Sequence, residues 1–263
     1  MTLPNKRKIC ITVAISSIIL LLLCETVGFS KPLGIEGEIA DSVDMTVTRA
    51  LGGAAFLAML INLGYRVLNP IKKPFFSSVL YSIPAFLIAI NNFPFSTVIK
   101  GNAKLEDGFG AVALLFLECM CVGLFEESAF RGVIFLSILK KNPKSRMWAF
   151  VSIVLSSVVF GLAHLINLAQ SSPAAVFMQM GYSALIGAMC AVILMKTANI
   201  WLCVLIHGLF NFAGAVIPRC GTGEIWDAFT VVLTVVVSLL VLAYMIILFV
   251  KDEMTAVEGI YKK

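Results

Sequence analysis

Eight apolar stretches constrain this chain more than any other feature of its sequence. Each is long enough, or nearly so, to cross about 30 Å of hydrocarbon as a helix. They occupy residues 9–28, 47–68, 75–95, 109–131, 148–168, 173–195, 198–217 and 228–250. A spanning segment must satisfy its backbone hydrogen bonds internally, and the short alternating segments of a transmembrane β-barrel are absent from the sequence. The sequence therefore predicts an all-α fold, a polytopic transmembrane helical bundle of about eight spans.

The composition agrees with a membrane domain, since 60% of the residues are hydrophobic and 13% are charged. These values lie outside the range of ordinary soluble domains. The net charge of +5 does not indicate a nucleic-acid partner, because the basic residues form no stripe. The lipid bilayer is the expected partner, and no oligomeric state is predicted. The apolar run after Lys6, Arg7 and Lys8 has no small-residue cleavage site behind it, which predicts a retained first span.

The distribution of basic residues predicts an orientation. If the N-terminus is cytoplasmic and the spans alternate, every Lys and Arg falls on the cytoplasmic side apart from Lys31, Arg49, Lys100, Lys104 and Arg219. Basic residues concentrate in cytoplasmic loops, so both termini are expected in the cytoplasm. No eukaryotic retention signal ends the sequence, and a bacterial plasma membrane is the predicted location.

The polar residues divide the chain. The first three spans lack buried charge, whereas polar clusters interrupt the later ones. This shift predicts accessory helices in residues 1–105, a catalytic helical core in residues 106–217, and a last helix with a cytoplasmic tail in residues 218–263. As a helix, residues 109–139 would measure about 46 Å, more than one straight span needs. A break or tilt is therefore expected near Gly132, with residues 132–141 at the cytoplasmic surface.

The first polar cluster is Glu126-Glu127-Ser-Ala-Phe-Arg131. On a helix, Glu127 and Arg131 share a face and can neutralise one another. Glu126 lies about 100° round the helix and is free to face a cavity. The expected roles are a general base for Glu126 and support of the site for Glu127 and Arg131. The alternative is a charge cluster at the membrane interface.

Two further clusters contain both histidines of the chain. Phe160 and His164 are one turn apart in one span, and His207 and Asn211 are one turn apart in another. Taken alone, a histidine at position 164 is more often a hydrogen-bonded contact between helices, and the second pair is equally typical of a polar clamp between helices. If the three clusters converge, Glu126 and His164 can activate a water, while His207 and Asn211 hold the developing oxyanion. That set of groups is sufficient for peptide-bond hydrolysis without a nucleophilic side chain.

The residues permit two other chemistries. Glu126, His164 and His207 could bind zinc as a His₂Glu site, but the helical His-Glu-x-x-His pairing of many zinc proteases is absent. No metal or other cofactor is favoured, and zinc is the alternative. Cys203 precedes His207 by one turn and could form a Cys–His pair, although thiols in apolar spans are usually inert.

The motifs Glu-Glu-x-x-x-Arg, Phe-x-x-x-His and His-x-x-x-Asn, in this order on separate apolar segments, resemble the CPBP family. This family comprises CAAX proteases and bacteriocin-processing or Abi-type proteins, including type II CAAX prenyl endopeptidases. The resemblance covers roughly residues 110–215. It implies an intramembrane glutamate-dependent peptidase whose chamber opens to the cytoplasm. By resemblance, Glu126, His164, His207 and Asn211 are catalytic, and Glu127 and Arg131 are supporting residues.

The resemblance implies a hydrophobic or lipidated peptide or protein as the substrate. Bacteriocin maturation, self-immunity and CAAX-type processing are the candidate roles. Two alternatives belong to other functional classes: a non-enzymatic membrane scaffold or immunity protein with the same fold, and a proton-coupled transporter. Transporters often contain inverted repeats, and none is evident in this sequence.

Overall fold

The structure is a computed structural model that describes residue 16 and residues 28–68, 75–169, 171–251 and 255–261. The predicted all-α fold class is confirmed, since helices dominate the described residues and the strands there form one short sheet. The predicted first span, residues 9–28, lies almost wholly outside the described residues.

The described α-helices follow one another with short connections. In chain order they are α1 (Glu38–Asn62), α2 (Phe75–Asn91), α3 (Phe95–Ile99), α4 (Phe109–Glu127), α5 (Leu136–Leu139), α6 (Arg146–Ala163), α7 (Pro173–Thr197), α8 (Ile200–Cys220), α9 (Ala228–Val250) and α10 (Thr255–Tyr261). A π-helical segment, Ser128–Phe135, joins α4 to α5, and 3₁₀ turns occupy Lys31–Leu33 and His164–Ala169. The two strands are β1 (Ala103–Leu105) and β2 (Gly221–Gly223).

Six helical units in the described residues are long and apolar enough to cross a membrane. They are Glu38–Asn62, Phe109–Leu139, Arg146–Ala169, Pro173–Thr197, Ile200–Cys220 and Ala228–Val250. Each coincides with a stretch predicted from the sequence, and the predicted stretch 75–95 contains the shorter apolar helix Phe76–Asn91. The largest difference between a predicted and an observed boundary is the start of α1, which lies at Glu38 rather than near residue 47.

Helix α8 lies at the centre of the bundle. It packs against α4, α2 and α7, while α1 packs along the outer side of α4. The largest buried apolar cluster includes the adjoining ends of α7 and α8, from Cys190 to Met195 and from Ile200 to Ile206. Helix α9 is peripheral, and most of its large apolar side chains are exposed. Such an exterior fits contact with lipid.

The connection between α7 and α8 consists of two residues, Ala198 and Asn199. Ala198 has a left-handed backbone, φ 52°, and its N–H donates to the carbonyl of Leu194 at 2.8 Å. The Asn199 side chain then accepts from the N–H of Trp201 and caps α8. Because this turn is so short, the two helices are antiparallel neighbours, and side chains near the turn meet across them.

The predicted break near Gly132 takes the form of the π-helical segment. The chain remains helical from Phe109 to Leu139, and Gly132, Phe135 and Leu136 are buried rather than superficial. The prediction that residues 132–141 lie at the cytoplasmic surface of the membrane stays a prediction, and Ser137, Lys140 and Lys141 are the exposed residues of this stretch. π-Helical turns are rare and frequently occur at functional sites. Here the change of winding begins immediately after Glu127.

Polar contacts tie together the end of the bundle that holds β1 and β2. The strands pair in antiparallel fashion, with Ala103 opposite Gly223. Asp227 caps α9 by accepting from the N–H of Thr230 at 2.7 Å. Lys100, Ser96 and Thr230 donate to the Asp227 carboxylate and lower its pKa below the usual range. This arrangement joins α3 to the start of α9.

Helices α4 and α8 approach each other closely at Gly123. A Cβ atom there would lie 2.8 Å from the carbonyl oxygen of Val204 and 3.0 Å from the backbone nitrogen of Gly208. Both atoms belong to the backbone of α8 and cannot rotate away. Small residues permit this kind of contact between membrane helices. The contact fixes the separation of α4 and α8 close to the functional residues on them.

Replacing Gly123 with alanine is expected to force α4 away from α8 and to lower stability by about 1–3 kcal/mol, the typical cost of overpacking. The measurement is thermal unfolding in detergent micelles. The matched control is Gly110→Ala on the same helix, because a Cβ at Gly110 meets nothing within 4 Å. Equal melting temperatures for the two variants would contradict the proposed close contact.

Candidate active site

Glu127 is the most enclosed acidic group of the polar cluster. It lies in the last turn of α4, and its side chain is 0% exposed. One oxygen, Oε1, lies 2.7 Å from Nδ1 of His207 on α8. The other, Oε2, lies 3.2 Å from Nε of Arg131 in the π-helical segment. The predicted pairing of Glu127 with Arg131 is therefore present, and His207 is an additional partner.

Arg131 is buried as completely as Glu127, with 1% of its side chain exposed. Its Nε also donates to the carbonyl oxygen of Gly187 on α7 at 3.3 Å. The guanidinium carbon lies 4.2 Å from the centre of the Phe160 ring, a cation–π contact. Among the described residues, the two terminal nitrogens have no hydrogen-bond partner. The ion pair and the aromatic face together offset the cost of burying this charge.

His207 lies between the two adjacent glutamates. Its Nδ1 faces Glu127, and its Nε2 lies 3.2 Å from Oε2 of Glu126. The Glu126 side chain is 19% exposed, in contrast to that of Glu127. Neighbouring positions on one helix thus give a buried carboxylate and an accessible carboxylate, and one imidazole contacts both.

Phe160 links the two histidines. Its ring is buried and makes edge-on contacts with His164 and His207, with centroids 5.0 and 5.7 Å away. His164 begins the 3₁₀ turn after α6, and its Nδ1 lies 3.0 Å from the carbonyl oxygen of Phe160. Its Nε2 lies 3.4 Å from the hydroxyl of Ser183 on α7. Within the described part of the chain, no hydrogen bond joins His164 to Glu126 or His207.

Asn211 lies one turn after His207 on α8 and is half-buried. Its amide makes no hydrogen bond to any other described residue. The preceding residue, Phe210, stacks at a tilt against Tyr182 with ring centres 5.6 Å apart. Its carbonyl oxygen accepts a hydrogen bond from the Asn92 amide at 2.8 Å. The Asn211 amide therefore keeps its hydrogen-bonding capacity for another group.

The arrangement differs from the expected pairing in one respect. The sequence paired Glu126 with His164, whereas the structure places Glu126 against His207, and His164 contacts the Phe160 ring. Glu126, Glu127, Arg131, Phe160 and His207 form one connected group. A carboxylate and an imidazole nitrogen in contact, one of them partly exposed, can exchange a proton with a bound water.

The potential metal ligands that lie together in the structure differ from those predicted from the sequence. Among the described residues, the only group of three potential ligands within 4.8 Å of one another is Glu127, Cys190 and Cys203. Glu126, His164 and His207 do not form such a group. Cys203 is fully buried, and its thiol donates to the carbonyl of Cys190 at 3.2 Å. A side chain enclosed in this way cannot reach a substrate, so the Cys–His alternative has no support in the structure.

Several residues that contact the candidate active site were not predicted from the sequence. Gly187 leaves room for the Arg131 guanidinium, because a Cβ atom there would collide with its terminal nitrogen. Ser183 contacts His164, and the Phe130 ring lies 4.7 Å from that of Phe160. Neither Gly187 nor Ser183 belongs to a recognisable pattern. Phe130 lies inside the first motif, at a position where any apolar residue looks ordinary.

Comparison with known protein families gives a match for the middle of the chain. Residues 108–213 match the family model described as type II CAAX prenyl endopeptidase, Rce1-like. The match contains all three motifs and confirms, for this segment, the resemblance predicted from them. Since this is a protease family, the match supports peptidase activity and a membrane-associated substrate at the level of the family. Searches of curated proteins and of solved structures found no match.

Replacing Gly187 with alanine is expected to displace the Arg131 guanidinium from its place beside Glu127. The variant should lose about 1–3 kcal/mol of stability through overpacking. It should also lose activity, because Glu127 would no longer be held against His207. Gly181→Ala on the same helix is the matched control, since a Cβ at Gly181 meets nothing within 4 Å. Thermal unfolding and the peptidase assay below give the two measurements, and identical behaviour of both variants would contradict this role of Gly187.

Proposed function

We propose that the chain is an intramembrane endopeptidase that hydrolyses a peptide bond with a glutamate-activated water. The observation that carries this proposal is the contact between the accessible carboxylate of Glu126 and Nε2 of His207, 3.2 Å apart, with Glu127 behind the imidazole. The family match over residues 108–213 supports a protease of the CAAX type. The proposed catalytic residues are Glu126, His164, His207 and Asn211.

The different surroundings of the two glutamates support a division of labour. Glu127 is fully buried, and its two oxygens face His207 and Arg131, so it acts as a positioning residue. Glu126 is partly exposed and contacts only the imidazole among the described ion pairs. It can therefore accept a water on its exposed side. Phe160 and Arg131 complete the support, because they hold the imidazole and Glu127 in place.

The proposed reaction begins with a water bound against Glu126. The carboxylate takes one proton as the water oxygen attacks the carbonyl carbon of the scissile bond. Negative charge then develops on the carbonyl oxygen. The amide of Asn211 and the Nε2–H of a protonated His207 are the proposed donors to it, which is the function of an oxyanion hole. Glu126 finally passes its proton to the leaving nitrogen as the C–N bond breaks.

The proposed role of His164 is less direct than the roles of Glu126 and His207. Its motif marks it as catalytic by resemblance, and its contacts are with Phe160 and Ser183. A histidine in contact with the Phe160 ring can bind the substrate chain or a second water next to the scissile bond. The contact with Ser183 keeps the imidazole in one orientation.

The proposed substrate is a hydrophobic or lipidated peptide or protein that enters from the membrane. Large apolar side chains are exposed along α9, and a surface of this kind can contact both lipid and a hydrophobic substrate. We further propose a chamber that opens to the cytoplasm and a location in a bacterial plasma membrane. Bacteriocin maturation, self-immunity and CAAX-type processing are the roles to be distinguished. The same proposal divides the chain into an accessory part, residues 1–105, a catalytic core, residues 106–217, and a last helix with a tail, residues 218–263.

The test uses the full chain reconstituted in liposomes. Internally quenched peptides of one sequence are supplied in two forms, with and without a C-terminal prenyl group. Replacing Glu126 with glutamine keeps the shape of the side chain and removes the base. We expect kcat/KM to fall by about 10²–10⁴-fold, the usual contribution of a general base. Loss of cleavage of both peptides with unchanged thermal unfolding would support the mechanism.

Glu118→Gln is the matched control for this substitution. Glu118 lies on the same helix as Glu126, but it pairs with Arg219 at 2.6 Å instead of with the histidines. The control should therefore keep its activity. Cleavage that survives both Glu126→Gln and His164→Ala would contradict the mechanism and favour a scaffold or immunity protein. Proton-coupled uptake into the liposomes without cleavage would favour a transporter.

A further inference from the structure

The fully buried side chains of Glu127, Cys190 and Cys203 form a cluster behind the candidate active site. Their potential ligand atoms all lie within 4.8 Å of one another. Each side chain comes from a different helix, α4, α7 and α8. The short turn at Ala198 and Asn199 brings the two cysteines together. The proposed hydrolysis uses neither thiol.

From this cluster we infer a binding site for a thiophilic metal ion of the zinc class. Two thiolates and a carboxylate are a ligand set that zinc accepts, and a site with three protein ligands keeps a fourth position for water. Thiolate ligands also select zinc, cadmium or copper(I) over magnesium and calcium. The two thiols and the carboxylate are therefore proposed to bind one such ion.

The surroundings of the carboxylate support this inference. Among the described residues, Oε2 of Glu127 is a buried atom without a hydrogen-bond partner of good geometry, although Nε of Arg131 lies 3.2 Å away. An oxygen in this position still has a lone pair to donate. Buried polar atoms without partners are uncommon and call for an explanation. A bound cation would supply the missing partner.

The balance of charge also permits the ion to bind. When a divalent ion binds, each thiol loses its proton as a metal–sulfur bond forms, and two protons leave the protein. The two negative charges of the thiolates then offset the two positive charges of the ion. The charge of the pair formed by Glu127 and Arg131 is unchanged. Binding therefore adds no net charge to this buried region, where an uncompensated charge would be costly.

The alternative is that the thiols are ordinary packing groups. In the structure, Cys203 donates to the carbonyl of Cys190 at 3.2 Å, and Cys190 points to the carbonyl of Cys203 at 4.0 Å. Weak contacts of this kind satisfy neutral thiols in many membrane helices. The two explanations differ in what zinc does to the protein, so the metal itself is the appropriate probe.

The first experiment needs no mutation. The full chain, purified in detergent with a reductant that does not bind metal, is stripped with a chelator and titrated with Zn²⁺. We expect about one ion per chain and an increase in the melting temperature, because a ligand that binds only the folded state stabilises it. X-ray absorption at the zinc edge should give two sulfur neighbours at about 2.3 Å, with oxygen or nitrogen completing the shell. A shell of oxygen and nitrogen alone would overturn the proposal.

The second experiment uses Cys190→Ser and Cys203→Ser, each of which should abolish the zinc-dependent increase in melting temperature. Cys119→Ser is the matched control, because Cys119 is also buried and lies outside the cluster. Excess Mg²⁺ should not displace the zinc. Equal zinc binding by all three variants would refute the site. Both experiments measure binding rather than cleavage, so their outcome is independent of the proposed peptidase activity.

Discussion

A buried negative charge on Glu127 is the constraint on which the structure of the site depends. A carboxylate with no exposed surface requires partners, and two neighbouring helical segments and an aromatic ring combine to provide them. The π-helical segment supplies Arg131, α8 supplies His207, and Phe160 of α6 covers the guanidinium. Removing one partner of such a group leaves an uncompensated charge, which typically costs about 3–5 kcal/mol. The burial of one carboxylate therefore couples the packing of the helices to the orientation of the imidazole.

The winding of the helix around Glu127 explains how the first motif provides both a buried and an accessible carboxylate. Glu126 and Glu127 differ by about 100° round α4, so one can face an accessible space while the other faces the interior. The chain then widens into the π-helical segment, which carries Arg131 back towards Glu127 and the carbonyl of Gly187. The long apolar stretch thus stays helical from Phe109 to Leu139, and the π-helical segment takes the place of the expected break. Its far end is held by Trp148 and Tyr261, which donate to the carbonyls of Ile138 and Leu136.

The features that depend on local periodicity were predicted correctly from the sequence. The arrangement of side chains that depends on contacts between helices was not. The apolar stretches and the pairing of Glu127 with Arg131 follow from hydropathy and from a spacing of four residues. The early start of α1 was not predicted because acidic residues such as Glu38 and Asp41 precede the apolar stretch. The first turn of the helix nevertheless contains them. The contact of Glu126 with His207, rather than His164, depends on the relative rotation of α4, α6 and α8. No pattern in a single sequence gives that rotation, and the same limit hid Gly187 and Cys190.

The charges of the connected group bear on the proposed reaction. Glu126 and Glu127 contribute two negative charges, and Arg131 contributes one positive charge. A low-dielectric interior penalises the remaining charge, and the imidazole of His207 lies between the two carboxylates. The separation of 3.2 Å between Nε2 and Oε2 suits a proton placed between these two atoms. Hydrolysis requires a proton to move from water to the leaving nitrogen. In the proposed reaction, Glu126 and His207 are placed to carry that proton, and Glu127 holds the imidazole beside Glu126.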